Sequence, residues 1–237
     1  MSNHPSLTAQ HTLFRFNRVP VIAQPSFWPL LLAVWGILSW IAGARRPRRP
    51  WPQRLLVGVL ALPLALSAEI GHALAHTISA RYAGAPMNRI LLSSGMPRTL
   101  YTDNAVSPTA HRLRAMGGPI YNALGVALSF VWRRRATPRS LNRELADVAC
   151  ASHGLLLIAS LAPVPIVDGG VLLKWTLVAR GEPSAAADQA VHRVSQTLGI
   201  VLASTGAALI LWRRKFIGGL LCAAGTAALA AGLDLLR

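Results

Sequence analysis

The chain has 237 residues, of which 53% are hydrophobic and only 14% charged, with a mean hydropathy of +0.43. A water-soluble domain of this size needs more polar surface than that, so a soluble globular enzyme is excluded. The formal net charge of +16 would suit a nucleic-acid binder. However, the basic residues stand at the ends of apolar blocks, as Arg45-Arg46-Pro47-Arg48-Arg49, Arg133-Arg134-Arg135 and Arg213-Arg214-Lys215, with no interleaved aromatics. Clusters so placed anchor helix ends at anionic headgroups, and no nucleic-acid partner is expected.

In chain order, residues 1–26 are polar and mixed and are expected to form an N-terminal polar segment rather than a cleavable signal peptide. Apolar blocks follow at Phe27–Ala44, Leu55–Leu74, Ala115–Trp132, Val148–Ala179, Val194–Trp212 and Phe216–Leu236. Each approaches or exceeds the roughly 20 residues that cross a hydrocarbon core. The fourth is interrupted by Pro163, Pro165, Gly169 and Gly170, which cannot continue a regular helix. Between the second and third blocks, Asn88–Asp103 (NRILLSSGMPRTLYTD) reads as two short strands around a Gly-Met-Pro turn, with a plain connecting loop as the alternative. The expected fold class is an all-α polytopic membrane protein of about six transmembrane helices, with that small hairpin and a broken fourth span. The short, dense Arg45–Arg49 loop favours a cytoplasmic position for it, with the N-terminus outside. Cys150 and Cys222 have no partner spacing and are expected to act as small buried hydrophobes.

Only eight residues are acidic, and just two of them, Glu69 and Asp168, lie deep in apolar sequence. Each costs several kcal/mol there unless paired, metal-bound or hydrated, which makes both functional candidates. His72, His76 and His153 also fall within the blocks. Glu69, His72 and His76 follow an i, i+3, i+7 spacing that puts one polar stripe on a helix. Asp168 sits in the broken stretch LAPVPIVDGG, and irregular backbone at membrane depth must be buried in protein or line a watery cavity. Imidazoles and a carboxylate converging there would suit zinc. A lone intramembrane histidine such as His153 reads instead as a hydrogen-bonding contact between helices.

Three stretches then carry a resemblance. Ala68–His76 with its flank (AEIGHALAH) resembles the H-E-x-G-H-A-x-x-A helix of the site-2 protease family of intramembrane zinc metalloproteases. Gly117–Leu128 (GGPIYNALGVAL) is similar to the family's A-G-P-x-x-N helix start, and Ser160–Gly170 (SLAPVPIVDGG) to its N-x-x-P-x-P-x-x-D-G-G segment. They occur in the family's order and cover roughly residues 19 to 180. The resemblance implies a membrane core over residues 27–180, followed by a C-terminal helix pair over 181–237. It implies Glu69 as general base, His72 and Asp168 as zinc ligands, and Asn122, Ser160 and Gly169 as supporting residues. The hairpin between Asn88 and Asp103 would receive an extended segment of a single-span membrane protein.

The pattern departs from the family at three places. Ala68 stands where the first zinc histidine belongs, Ser160 replaces an asparagine, and Ile166 replaces a proline. His76 is also i, i+4 from His72 and is the candidate substitute ligand, at a displacement of about 5.4 Å along the helix axis. Three functions stay open: an intramembrane zinc metalloprotease with an altered ligand set, an inactive pseudoprotease that binds membrane partners, and a small ion transporter or channel. Composition suggests a multi-pass protein of a prokaryotic plasma membrane.

Overall fold

The structure, a computed structural model, describes residues 11–235, so the first ten residues of the expected polar segment lie outside it. Four strands and seven helices follow in order: β1 (His11–Phe16), β2 (Val19–Ala23), α1 (Phe27–Arg45), α2 (Trp51–Tyr82), β3 (Arg89–Leu92), β4 (Arg98–Leu100), α3 (Pro108–Arg135), α4 (Leu141–Leu161), α5 (Asp168–Ala179), α6 (Ser184–Leu211) and α7 (Lys215–Gly232). The chain divides into two compact units, one comprising residues up to 105 with 117–157, the other 106–116 with 158–237.

Among the described residues, five helices (α1, α2, α4, α6 and α7) are long and apolar enough to cross a membrane. The third apolar block of the sequence forms the 28-residue α3. Its apolar character is diluted by Gly117, Gly118, Pro119, Tyr121 and Asn122, the residues that shape its contact with α2. The fourth block is divided: α4 stops at Leu161, and the 12-residue α5 starts at Asp168.

In the first unit the strands form a single sheet ordered β1-β2-β3-β4. β1 and β2 pair antiparallel through Asn17 and Arg18, both at positive φ (49° and 66°), the backbone a tight two-residue hairpin requires. β2 pairs parallel with β3, Val21 opposite Ile90 and Ala23 opposite Leu92, and β3 pairs antiparallel with β4. The sequence reading expected only strands within Asn88–Asp103. The first pair was hidden because HTLFRF and VPVIA are short and are followed directly by an apolar helix, which blurs the period-two signal.

The sheet sets the position of α2. Val19, Val21, Ala23, Met87, Ile90 and Leu92 form one core with Phe27 of α1 and with Ala73 and Ala80 of α2, against which Ile70 and Leu74 also pack. Residues 70, 73, 74 and 80 share one helical face, so this core fixes the rotation of α2 about its axis. At the other end of α2, Trp35 Nε1–H donates to the Leu55 carbonyl (3.1 Å), and Gly58 lets Ser39 of α1 approach its backbone. The basic Arg45–Arg49 cluster is engaged in ion pairs within the protein. Arg49 Nη2 lies 2.9 and 2.8 Å from the two Glu144 carboxylate oxygens, Arg46 also pairs with Glu144, and Arg45 and Arg133 pair with Asp147 at 3.2 and 2.6 Å. These contacts tie the α1–α2 connection to α3 and α4.

In the second unit, α6 and α7 form a hairpin joined through Arg213, whose φ is +61°. Gly199 and Gly206 of α6 face the backbone of α7, and Gly218 and Gly225 face α6, so the two helices approach closely. Ser195 donates to the Ala228 carbonyl at 2.8 Å, and Gln196 to that of Gly232 at 2.8 Å. Lys174 of α5, placed by the sequence within a span, pairs with Asp188 of α6 at 2.8 Å. Val164 of the α4–α5 connection packs on Ala228 and Ala231.

Candidate functional site

Once the sheet has fixed the rotation of α2, His72 and His76 fall on a face that meets α3. Both side chains are buried, at 9% and 4% exposure. Their rings meet edge to face with centroids 4.7 Å apart, and the two Nε2 atoms lie 3.1 Å from one another. The α3 segment Gly-Gly-Pro-x-x-Asn makes this possible. A β-carbon at Gly117 would strike the Ala75 carbonyl and Ser79, and one at Gly118 would overlap the His72 ring. Asn122, one turn later and fully buried, places its carboxamide nitrogen 2.9 Å from His72 Nδ1.

Asn122 then extends the series to His153, for which the sequence predicts a hydrogen-bonding contact between helices. His153 of α4 has its Nδ1 2.8 Å from Asn122 Oδ1, and Gly125 leaves room for its ring. Four buried polar side chains, His76, His72, Asn122 and His153, thus form one continuous hydrogen-bonded series across α2, α3 and α4. A signal for this existed: Asn122 is the one asparagine inside an apolar block, and a buried carboxamide needs partners for both of its ends. His153 also lines a mostly apolar cavity of about 480 Å³, together with Leu64, Ser67, Tyr121, Leu124 and Leu128.

Glu69 is half-buried and faces a different set of neighbours. It lines a small pocket with Phe27 and Leu30 of α1 and with Leu92, Ser93, Gly95 and Pro97 from β3 and the β3–β4 turn. The carboxylate and the hairpin singled out from the sequence therefore share one wall. Ala68, a turn before His72, is fully enclosed at 0% exposure.

The remaining candidates lie in the second unit. The α4 helix ends because Pro163 and Pro165 supply no backbone N–H, and the connection is held by short turns, Val164 N–H to the Ala162 carbonyl at 2.8 Å and Val167 N–H to the Val164 carbonyl at 3.2 Å. Val167 is extended, and Asp168 opens α5, where a carboxylate is favoured by the positive end of the helix dipole. Gly169 lies against the Leu161 and Ala162 carbonyls and Gly170 against that of Val164, so the two glycines let the first turn of α5 nest on the connection. Ser160, at 1% exposure, is buried at the end of α4.

The chemistry of the donor set suits zinc. Two nitrogens held about 2.0–2.1 Å from a tetrahedral ion stand roughly 3.3 Å apart, close to the 3.1 Å between the two Nε2 atoms. Asn122 stands beside Nδ1, the position from which a carboxamide oxygen would orient a ligating imidazole.

No family model and no curated protein matches this sequence. Among solved structures, the Site-2 Protease from Methanocaldococcus jannaschii is similar over 97% of this chain and 96% of that one, with a TM-score of 0.58 and 14% identity. The chain has a site-2 protease-like fold. At 14% identity the likeness extends to the arrangement of helices and strands and leaves the chemistry to be argued from residues. Within the site-2 protease-like fold, Glu69, His72 and His76 lie on one helix, and Asn122 on the helix packed against it.

Proposed function

We propose that this chain is an integral-membrane, zinc-dependent peptide hydrolase whose ligand set is shifted one turn along α2, to His72 and His76, with Asp168, the carboxylate that the sequence resemblance marks, as the third ligand. The observation that carries the reading is the meeting of two buried imidazole nitrogens at 3.1 Å. A buried pair of histidines so close, with nothing to gain from lipid, is suited to sharing a cation. Bound zinc would supply Lewis acidity, polarising a peptide carbonyl and lowering the pKa of water toward neutrality.

The chain's own residues do the rest. Glu69 accepts the proton released when water attacks and returns it to the leaving amine. Its neighbours in the small pocket, Leu92, Ser93 and Gly95, belong to the hairpin whose outer strand β4 is a sheet edge. An extended segment unwound from a single-span membrane substrate would satisfy its backbone on that edge while its scissile bond passes Glu69. Asn122 orients His72. Ser160 and Gly169 support the connection that presents Asp168. In this reading residues 27–180 form the catalytic core, with α3 and α5 lying in the membrane in addition to the five apolar helices, in a prokaryotic plasma membrane. Residues 181–237 are an added helix pair.

A second reading is favoured by one observation, the fully enclosed alanine at position 68 where the family carries its first histidine. In that reading the pocket binds membrane segments without cutting them.

The full chain purified in detergent tests both. The first reading expects about one zinc per chain and cleavage of a co-reconstituted single-span substrate. Glu69→Gln should stop cleavage and keep zinc, whereas His76→Ala should lose zinc. Zinc without cleavage selects the second reading, and a chain that takes up no zinc overturns the first.

A further inference from the structure

A neutral imidazole carries one proton, and with neutral rings the orientation of Asn122 in the series His76–His72–Asn122–His153 sets where each proton sits. The Asn122 carboxamide nitrogen donates to His72 Nδ1 at 2.9 Å, so Nδ1 is the bare nitrogen and the His72 proton resides on Nε2. That proton points at His76 Nε2, 3.1 Å away, which accepts it. At the other end, His153 donates from Nδ1 to Asn122 Oδ1 at 2.8 Å. Each of the three contacts in the series then joins one donor to one acceptor, as buried groups require. In this arrangement, however, His72 Nε2 has no lone pair to offer.

Turning the Asn122 carboxamide by half a turn exchanges its oxygen and nitrogen with no change of shape. The oxygen then accepts from His72 Nδ1–H, the nitrogen donates to His153 Nδ1, and the His153 proton moves to Nε2. Each ring stays neutral and no net proton is gained or lost. His72 Nε2 now presents a lone pair beside His76 Nε2, and its Nδ1–H is held by an acceptor, the arrangement usual for a ligating histidine.

We infer that Asn122 and His153 are a tautomer relay: the orientation of the Asn122 carboxamide decides whether His72 is a hydrogen-bond partner of His76 or a metal ligand. Asn122 and His153 are positioning residues. They act through His72 and touch neither metal nor substrate. The inference rests on the metal reading above for its consequence, while the tautomer of His72 is a property of the metal-free chain.

The relay predicts opposite effects for two substitutions at one position. Asn122→Asp offers only acceptors, which holds the His72 proton on Nδ1. Asn122→Leu fills the same space with no acceptor. The experiment uses the full chain in detergent, labelled with ¹⁵N-histidine, with and without zinc, alongside zinc affinity by competition with a chelating dye. In wild type the His72 proton should move from Nε2 to Nδ1 on zinc addition, with His153 moving in the reverse sense. In metal-free Asn122→Asp it should already be on Nδ1, with zinc affinity equal to or above wild type, while Asn122→Leu should lose about 10- to 100-fold. A residue that merely filled space would give the two variants the same affinity and leave the tautomer unmoved, which overturns the relay. If wild type takes up no zinc, the metal reading fails. The relay is then judged by whether Asn122→Asp shifts the His72 proton in the metal-free chain, and no shift overturns it.

Discussion

The imidazole of His72 packs directly against Gly118, so closely that any β-carbon at position 118 would overlap the ring. The contact joins α2 to α3 at the point where His72 must reach both His76 and Asn122. Gly118→Ala should therefore destabilise the chain by about 1–3 kcal/mol through overpacking. It should also weaken zinc binding, because a displaced ring strains its contacts with His76 and Asn122. Gly36→Ala is the control. A methyl there meets nothing within 4 Å, so it should be neutral or gain up to about 1 kcal/mol in helix propensity. Denaturant unfolding in detergent and zinc titration read both effects.

Zinc should act as a stabiliser of the folded chain. Free zinc at a hundred times its dissociation constant adds about 2.7 kcal/mol to a folded state that alone binds it. The unfolding midpoint should rise with zinc and fall back with chelator. His76→Ala should abolish the response, since His76 supplies one of two Nε2 atoms that converge at 3.1 Å. An undiminished zinc response in His76→Ala would remove the shifted ligand set from consideration.

Restoring the family histidine should not be free. Ala68 is fully enclosed, at 0% exposure, so an imidazole there must displace its neighbours. Ala68→His is expected to cost about 1–3 kcal/mol. Because His72 can pair with only one histidine along α2 around a single ion, zinc stoichiometry should stay at one per chain. Metal analysis with parallel unfolding curves checks both outcomes.

The candidate residues legible in the sequence were those carried by local spacing and by composition. Glu69 and Asp168 stood out because acids are rare in this chain, and His72 with His76 because i, i+4 places them on one helix face. The end of α4 near residue 161 followed from Pro163 and Pro165. What local pattern could not supply was pairing across distance. The parallel register of β2 with β3 joins segments nearly seventy residues apart, for instance Val21 with Ile90, and no turn announces it. His153 looked like an isolated contact because its partner Asn122 lies 31 residues away on another helix. The Arg45–Arg49 cluster suited a headgroup anchor, yet Glu144 and Asp147, nearly a hundred residues on, neutralise much of it.

That ion cluster leads to a prediction independent of any metal. Arg49 and Glu144 are both largely shielded, with side-chain exposures of 7% and 11%, and their contacts are 2.9 and 2.8 Å. Arg49→Ala removes charged hydrogen bonds from a carboxylate that keeps Arg46 as its remaining partner. A loss of about 1–3 kcal/mol is expected, with zinc affinity unchanged because neither Arg49 nor Glu144 belongs to the proposed ligand set or to the series that positions it. Unfolding and zinc titration on one preparation separate the two effects.

Gly169 offers a test of how Asp168 is presented. The β-carbon of any other residue at 169 would strike the carbonyls of Leu161 and Ala162, which are backbone atoms and cannot swing aside. The first turn of α5 would have to move off the proline-broken connection, carrying Asp168 with it. Gly169→Ala should cost about 1–3 kcal/mol in stability and, if Asp168 is the third ligand, lower zinc affinity as well. Asp168→Asn should lower zinc affinity without the steric cost, since the carboxamide keeps the shape and loses the charge. The paired comparison separates position from chemistry. Both variants binding zinc as tightly as wild type would remove Asp168 from the ligand set, and Gly219→Ala, where a methyl meets nothing within 4 Å, marks the background of a harmless glycine change in the same unit.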